Sequence, residues 1–154
     1  FYRAEVETVG RRWREVLASF DDASARKRPA PDMNSALWLT GHMAWAQDYF
    51  LLETPWGRSV RRKEWDSLYD FSSDKAGEEA YPPFEEVRGE FTWVLDEALK
   101  ALGGLSERDL RKACHSQRRW FPTVAHAAGH QVTHGHYHLG QLVFLDKLRH
   151  GGRL

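Results

Sequence analysis

Val6, Val9, Trp13, Val16, Leu17 and Phe20 recur at steps of three and four residues with Arg and Glu between them, so residues 3–20 are expected to form an amphipathic helix. The polar, proline-bearing stretch DDASARKRPAPDM breaks that period and reads as a loop, ending at Asn34 or Ser35 as a cap for the next helix. A second helix is expected to run to about Glu53. On it Trp38, His42, Trp45, Tyr49 and Leu52 share one face, which turns His42 toward the core among aromatic rings. From Thr54 to Pro83 no helical period holds, yet Trp56, Trp65, Tyr69 and Phe71 are too aromatic for a floppy linker; a packed crossover over one end of the molecule is expected. Phe84, Val87, Phe91, Val94, Ala98 and Leu102 describe a third helix, entered through Pro82 and Pro83 and closed by Gly103 and Gly104. Ser106 with Asp109 caps a short turn through Lys112. A fourth helix starts at Pro122 and Thr123 and ends at Gly151 and Gly152, with an apolar stripe of Val124, Ala128, Leu139, Leu142 and Leu145.

Four long amphipathic helices, with no sustained two-residue alternation, predict an all-α fold: a four-helix bundle with a long crossover between helices two and three. At 154 residues a single domain, 1–154, is expected. Lys plus Arg and Asp plus Glu both number 22, so no net field draws nucleic acid or an anionic membrane, and small-molecule partners fit better. No stretch approaches the roughly 20 apolar residues of a spanning helix. The lone Cys114 has no partner for an intramolecular disulfide, and its surroundings do not mark it as an activated nucleophile. No signal-peptide pattern is seen, although the chain starts at Phe1 rather than Met, and a cytoplasmic location is the default expectation.

Chemistry concentrates on the fourth helix, where five of the eight histidines fall between His126 and His138. His138 lies inside the apolar stripe and His134 at its edge, one turn apart, so the two rings reach a single point. Such an i, i+4 pair is a weak metal signal by itself, since core or surface imidazoles give the same pattern. An inward His42 changes the balance, because burying an imidazole among Trp38, Trp45 and Tyr49 is costly unless its nitrogens find partners. A di-iron carboxylate site would need inward Glu residues, and helix four contains no Glu; a zincin would need His-Glu-x-x-His. His126, His136, His115 and His150 are expected at the surface.

WLTGHMAWAQ on helix two and HQVTHGHYHLGQL on helix four resemble the two signatures of the DinB-like (YfiT-like) superfamily. That resemblance implies a four-helix bundle holding a divalent metal with three histidines, here His42, His134 and His138, and often a homodimer. It further implies kinship with thiol-dependent transferases and isomerases and with metal-binding domains of ergothioneine-synthesising enzymes, alongside members of no known activity.

Three neutral imidazoles leave coordination positions open, as in reactive metal sites. All-imidazole ligation suits zinc or nickel, with iron and copper as alternatives. Two functional classes follow: a metal-dependent transferase or isomerase acting on a low-molecular-weight thiol and a small electrophile, and a non-catalytic, stress-related binder of metal or small ligand. His130, one turn before His134, is the candidate proton carrier, with a partly exposed imidazole of no special role as the rival reading. Gly140 is expected to permit close helix packing, and Gln141 to bond a neighbouring helix or a ligand. Arg118, Arg119 and Trp120, or Arg58, Arg61 and Arg62, are candidates to receive a carboxylate, although a solvated basic patch is the better reading of both clusters.

Overall fold

The computed structural model describes residues 1–71 and 77–151. The helices, in chain order, are α1 (Tyr2–Leu17), α2 (Asp22–Arg26), α3 (Ala36–Asp48), α4 (Thr54–Trp56), α5 (Asp66–Tyr69), α6 (Phe84–Gly103), α7 (Glu107–Leu110) and α8 (Val124–Arg149). A π-helical turn, Tyr49–Glu53, joins α3 to α4, and short 3-10 turns lie at Lys63–Trp65 and Glu78–Ala80. Among the described residues there is no strand, only an isolated bridge between Ala113 and Thr123.

The all-α expectation holds. The four long helices close a ring in which α1 packs on α6 and α8, and α3 packs on the same two helices. Trp13, Leu17, Leu37, Leu39, Met43, Phe91, Val94 and Leu142 fill its interior. Among the described residues no helix is long and apolar enough to cross a membrane.

Three details depart from the sequence pattern. The expected loop after α1 contains α2, a helix too short to show a period; a capping box stabilises it, with the Asp21 carboxylate accepting from the Ser24 backbone N–H at 2.7 Å. Helix two is buried on nearly every side, from Ala36 through Asp48 with Trp38 half-buried, rather than on one face. It also runs past Glu53 to Trp56 and stops at Gly57, whose φ of 68° is the left-handed conformation of a helix terminus. Pro55 explains the π turn: it has no N–H for an α-type bond, and the Thr54 N–H reaches back five residues to the Tyr49 carbonyl. The Ser106 capping box before α7 is as expected, with the Asp109 carboxylate accepting from the Ser106 N–H at 2.9 Å. Gly151 follows α8 at φ 65°, while Gly152 and residues 72–76 of the expected crossover lie outside the described residues.

The crossover is fastened from beneath. Asp48 is fully buried; it accepts from the Val60 and Arg61 N–H groups at 2.7 and 3.2 Å, from Ser59 Oγ at 2.7 Å, and from the Arg61 guanidinium. Arg61 also forks onto Asp66 at 2.8 and 2.9 Å and reaches Glu53 at 2.6 Å. The reading of Arg61 as part of a solvated basic patch is therefore wrong, and so is its role as a carboxylate receptor. Its charge is spent on three carboxylates of its own chain.

Candidate metal centre

Gly41 starts the construction of the site. A Cβ at this position would lie 2.2 Å from the Tyr69 ring, so only glycine lets that ring lie flat on α3. With α5 seated there, the Tyr69 carbonyl accepts a hydrogen bond from His42 Nδ1 at 2.7 Å. A carbonyl has no proton to give, so Nδ1 carries the hydrogen and Nε2 keeps its lone pair. On α8, His138 Nδ1 makes the same kind of bond, 2.7 Å to the Gln141 amide oxygen, while the Gln141 amide nitrogen donates to the Tyr137 hydroxyl at 3.3 Å.

The freed Nε2 atoms converge. His134 Nε2 lies 3.2 Å from His42 Nε2 and 3.1 Å from His138 Nε2, and the three ligand atoms all fall within 4.8 Å of one another. Since His42 and His138 hold their protons on Nδ1, His134 has at most one proton for two close nitrogens, and at least one of these contacts has no hydrogen in it. A cation removes that conflict by taking all three lone pairs. Tetrahedral bonds of about 2.0–2.1 Å to imidazole nitrogen put ligand atoms roughly 3.3 Å apart, close to the two short separations. His134 Nδ1 is buried without a hydrogen-bond partner. The residues present thus form a group able to hold a metal ion.

The environment keeps these rings neutral. Burial pushes His42 down to about 4 and His134 down to about 3, with neighbouring imidazoles adding to both effects, and burial also lowers His138. Trp38 stacks on His42 at 4.7 Å between ring centres, which fixes the imidazole plane from the side.

A pocket of about 410 Å³ opens beside His42 and His134. Trp45, Tyr49, Phe50, Phe71, Trp120 and Phe121 supply its aromatic walls, with Gln117 and His130 as further polar groups. His130 packs against Phe50 at 4.5 Å and stacks near His134 at 5.8 Å; burial lowers its pKa.

The candidates from the sequence separate cleanly. His42, His134 and His138 come together and His130, itself exposed, stacks beside His134, whereas the exposed His115, His126, His136 and His150 lie outside the group. His136 bonds the Val132 carbonyl at 2.8 Å, and His126 bonds Thr123 Oγ1 at 2.8 Å. Gly140 does not serve close packing: it is exposed, and a Cβ there would meet nothing within 4 Å. Arg118 turns to the Cys114 carbonyl at 2.6 Å, and of its cluster only Trp120 lines the pocket. Cys114 is buried, and burial pushes its thiol up, away from reactivity. The sequence reading missed the Tyr69 carbonyl, Phe50 and Gln117; Gly41 beside His42 was the available signal for the first.

The chain matches the family model described as the DinB superfamily over residues 5–142. None of the curated proteins matches it. Among solved structures, a crystal structure of a conserved protein from Enterococcus faecalis superposes with a TM-score of 0.65 over 97% of this chain and 95% of that one, at 20% identity, a likeness of fold. With the family match spanning nearly the whole chain, and the three histidines brought together at one point, this protein belongs to the DinB superfamily.

Proposed function

We propose that the protein is a metal-dependent enzyme that transfers or rearranges a group on a low-molecular-weight thiol, with one divalent ion held by His42, His134 and His138. The observation that carries this reading is the convergence of three Nε2 atoms, two of whose rings, His42 and His134, line a pocket large enough for a small substrate. Bound there, a cation such as zinc or nickel would leave open positions and favour the thiolate form of an entering thiol. The protein's own groups do the rest. His42 and His138 hold their lone pairs in place through Tyr69 and Gln141, and the aromatic walls offer apolar surface beside the histidines for the substrate to pack against. His130, whose pKa is lowered by its partly desolvated position, lines the same pocket and is placed to accept the thiol proton.

A second reading, a non-catalytic binder, is favoured by one observation: no Asp, Glu, Lys or Arg lines the pocket among the described residues. Elemental analysis of untagged protein, never exposed to nickel resin, tests the ligand assignment. His42→Ala, His134→Ala and His138→Ala are expected to lose metal, and His136→Ala to keep it; full metal in all four would sink the assignment. Turnover is then tested with glutathione, bacillithiol, mycothiol or cysteine and a generic electrophile. His130→Gln should retain metal and lose about 100-fold in rate. A thiol that binds and is never consumed would leave the binder.

A further inference from the structure

The pocket walls have a chemistry of their own. Along α3 and the π turn, Trp38, His42, Trp45 and Tyr49 form a ladder of nearly parallel rings, with interplanar angles of 10°, 13° and 16° between successive members. The ladder's last two rings, Trp45 and Tyr49, are pocket wall. Facing them is the loop before α8. Gln117 there holds a left-handed φ of 54°, and its carbonyl accepts from the N–H groups of both Trp120 and Phe121 at 2.9 Å. That strained turn sets two more rings on the pocket, and Trp120 remains 69% exposed, an uncommon state for so large an apolar side chain.

Charge is kept out of the same space. Arg118 is engaged with the Cys114 carbonyl, Arg119 lies 5.4 Å over the Trp120 ring, and Arg61 lies behind Trp45 at 5.5 Å with its carboxylates. A carboxylate seated between the aromatic walls, away from the three histidines, would shed water and find no cation among the lining side chains, whereas a flat ring would gain stacked and edge contacts and cover Trp120.

Building on the thiol-transfer reading above, we infer that the second substrate carries an uncharged planar aromatic group, which seats between the Trp45–Tyr49 end of the ladder and the Trp120–Phe121 turn. The aromatic group is held by the walls and does not depend on an ion at the three histidines.

Isothermal titration calorimetry with three probes of one size tests this: 2-naphthol, planar and neutral; 2-naphthoate, planar and anionic; and decahydro-2-naphthol, neutral and not planar. Each is titrated into the protein as purified and after chelator treatment. The expected result is that 2-naphthol binds about 10-fold more tightly than the saturated probe in both preparations, and about 10-fold more tightly than 2-naphthoate after chelation, when no ion can take the carboxylate; Trp120→Ala, a change at an exposed position, should weaken it by roughly 3- to 10-fold. Equal binding of 2-naphthoate to the chelated protein, or of the saturated probe to either preparation, would overturn the inference. So would a preference that vanishes on chelation, or one that Trp120→Ala leaves unchanged. Selective binding of 2-naphthol without any thiol-dependent turnover would sink the transfer reading and support the aromatic seat.

Discussion

His138 is held by one contact that can be removed without touching a nitrogen of the cluster: the bond from its Nδ1 to Gln141 Oε1. That bond fixes the tautomer and the plane of the ring, and such outer partners typically govern affinity by about 10- to 100-fold. Gln141→Leu, close in volume and unable to accept, is therefore expected to weaken metal binding within that range while the helix stays intact. Competition with a chromophoric chelator measures it, and an unchanged affinity would mean that packing alone orients His138. At this scale the sequence was informative about side chains on one helix. His134 and His138 declare themselves by a four-residue step inside an apolar stripe, and His42 by its aromatic neighbours. The Tyr69 carbonyl was not legible, because a backbone oxygen has no residue signature and lies 27 positions from His42. Arg61 misled for a related reason: three arginines in a loop look like a solvated patch until the carboxylates of Asp48, Glu53 and Asp66 are placed around one of them.

Elements are where the site is assembled, and the contact between α3 and α5 is its most sensitive joint. Tyr69 is buried, so its ring has little room to yield to a methyl group on Gly41 that would come within 2.2 Å. Gly41→Ala should cost about 1–3 kcal/mol through overpacking, and should also draw the Tyr69 carbonyl away from His42, lowering metal affinity in the same variant. Gly89→Ala is the control, since its Cβ would meet nothing within 4 Å in the middle of α6, and it should stabilise by roughly 0.5–1 kcal/mol. Urea midpoints and metal titrations of the two variants read both effects; equal behaviour would remove Gly41 from the architecture of the site. Three of the long helices were legible from their period. The second was recognised by its aromatic and apolar face, but its burial on nearly every side was not, because a helix surrounded by packing needs no clean polar stripe. The π turn had only Pro55 to announce it, yet it places Phe50 against His130 and His134 beside Tyr49 on the pocket wall.

For the whole molecule, the core is extensive without the histidine cluster, so removal of metal should leave a folded, helical chain with a lower melting temperature, unlike a zinc finger. Acid makes the cost visible. His42 and His134 have folded values of about 4 and about 3, below the usual value near 6.5, so in the unfolded chain they take up protons first as pH falls. Their neutral burial is therefore without penalty above pH 6.5, and stability declines as pH drops from there toward 4. His138 and His130 are lowered by burial as well and act with the same sign. Between pH 7.5 and 4.5 the chelated protein is expected to lose on the order of a few kcal/mol, read as a falling melting temperature by circular dichroism. Metal-loaded protein should start higher and resist acid until protons displace the ion from the imidazoles, after which the two curves meet. A chelated chain that is unfolded at neutral pH, or whose melting temperature stays flat down to pH 4.5, would contradict the placement of these neutral imidazoles inside a core that stands without their metal.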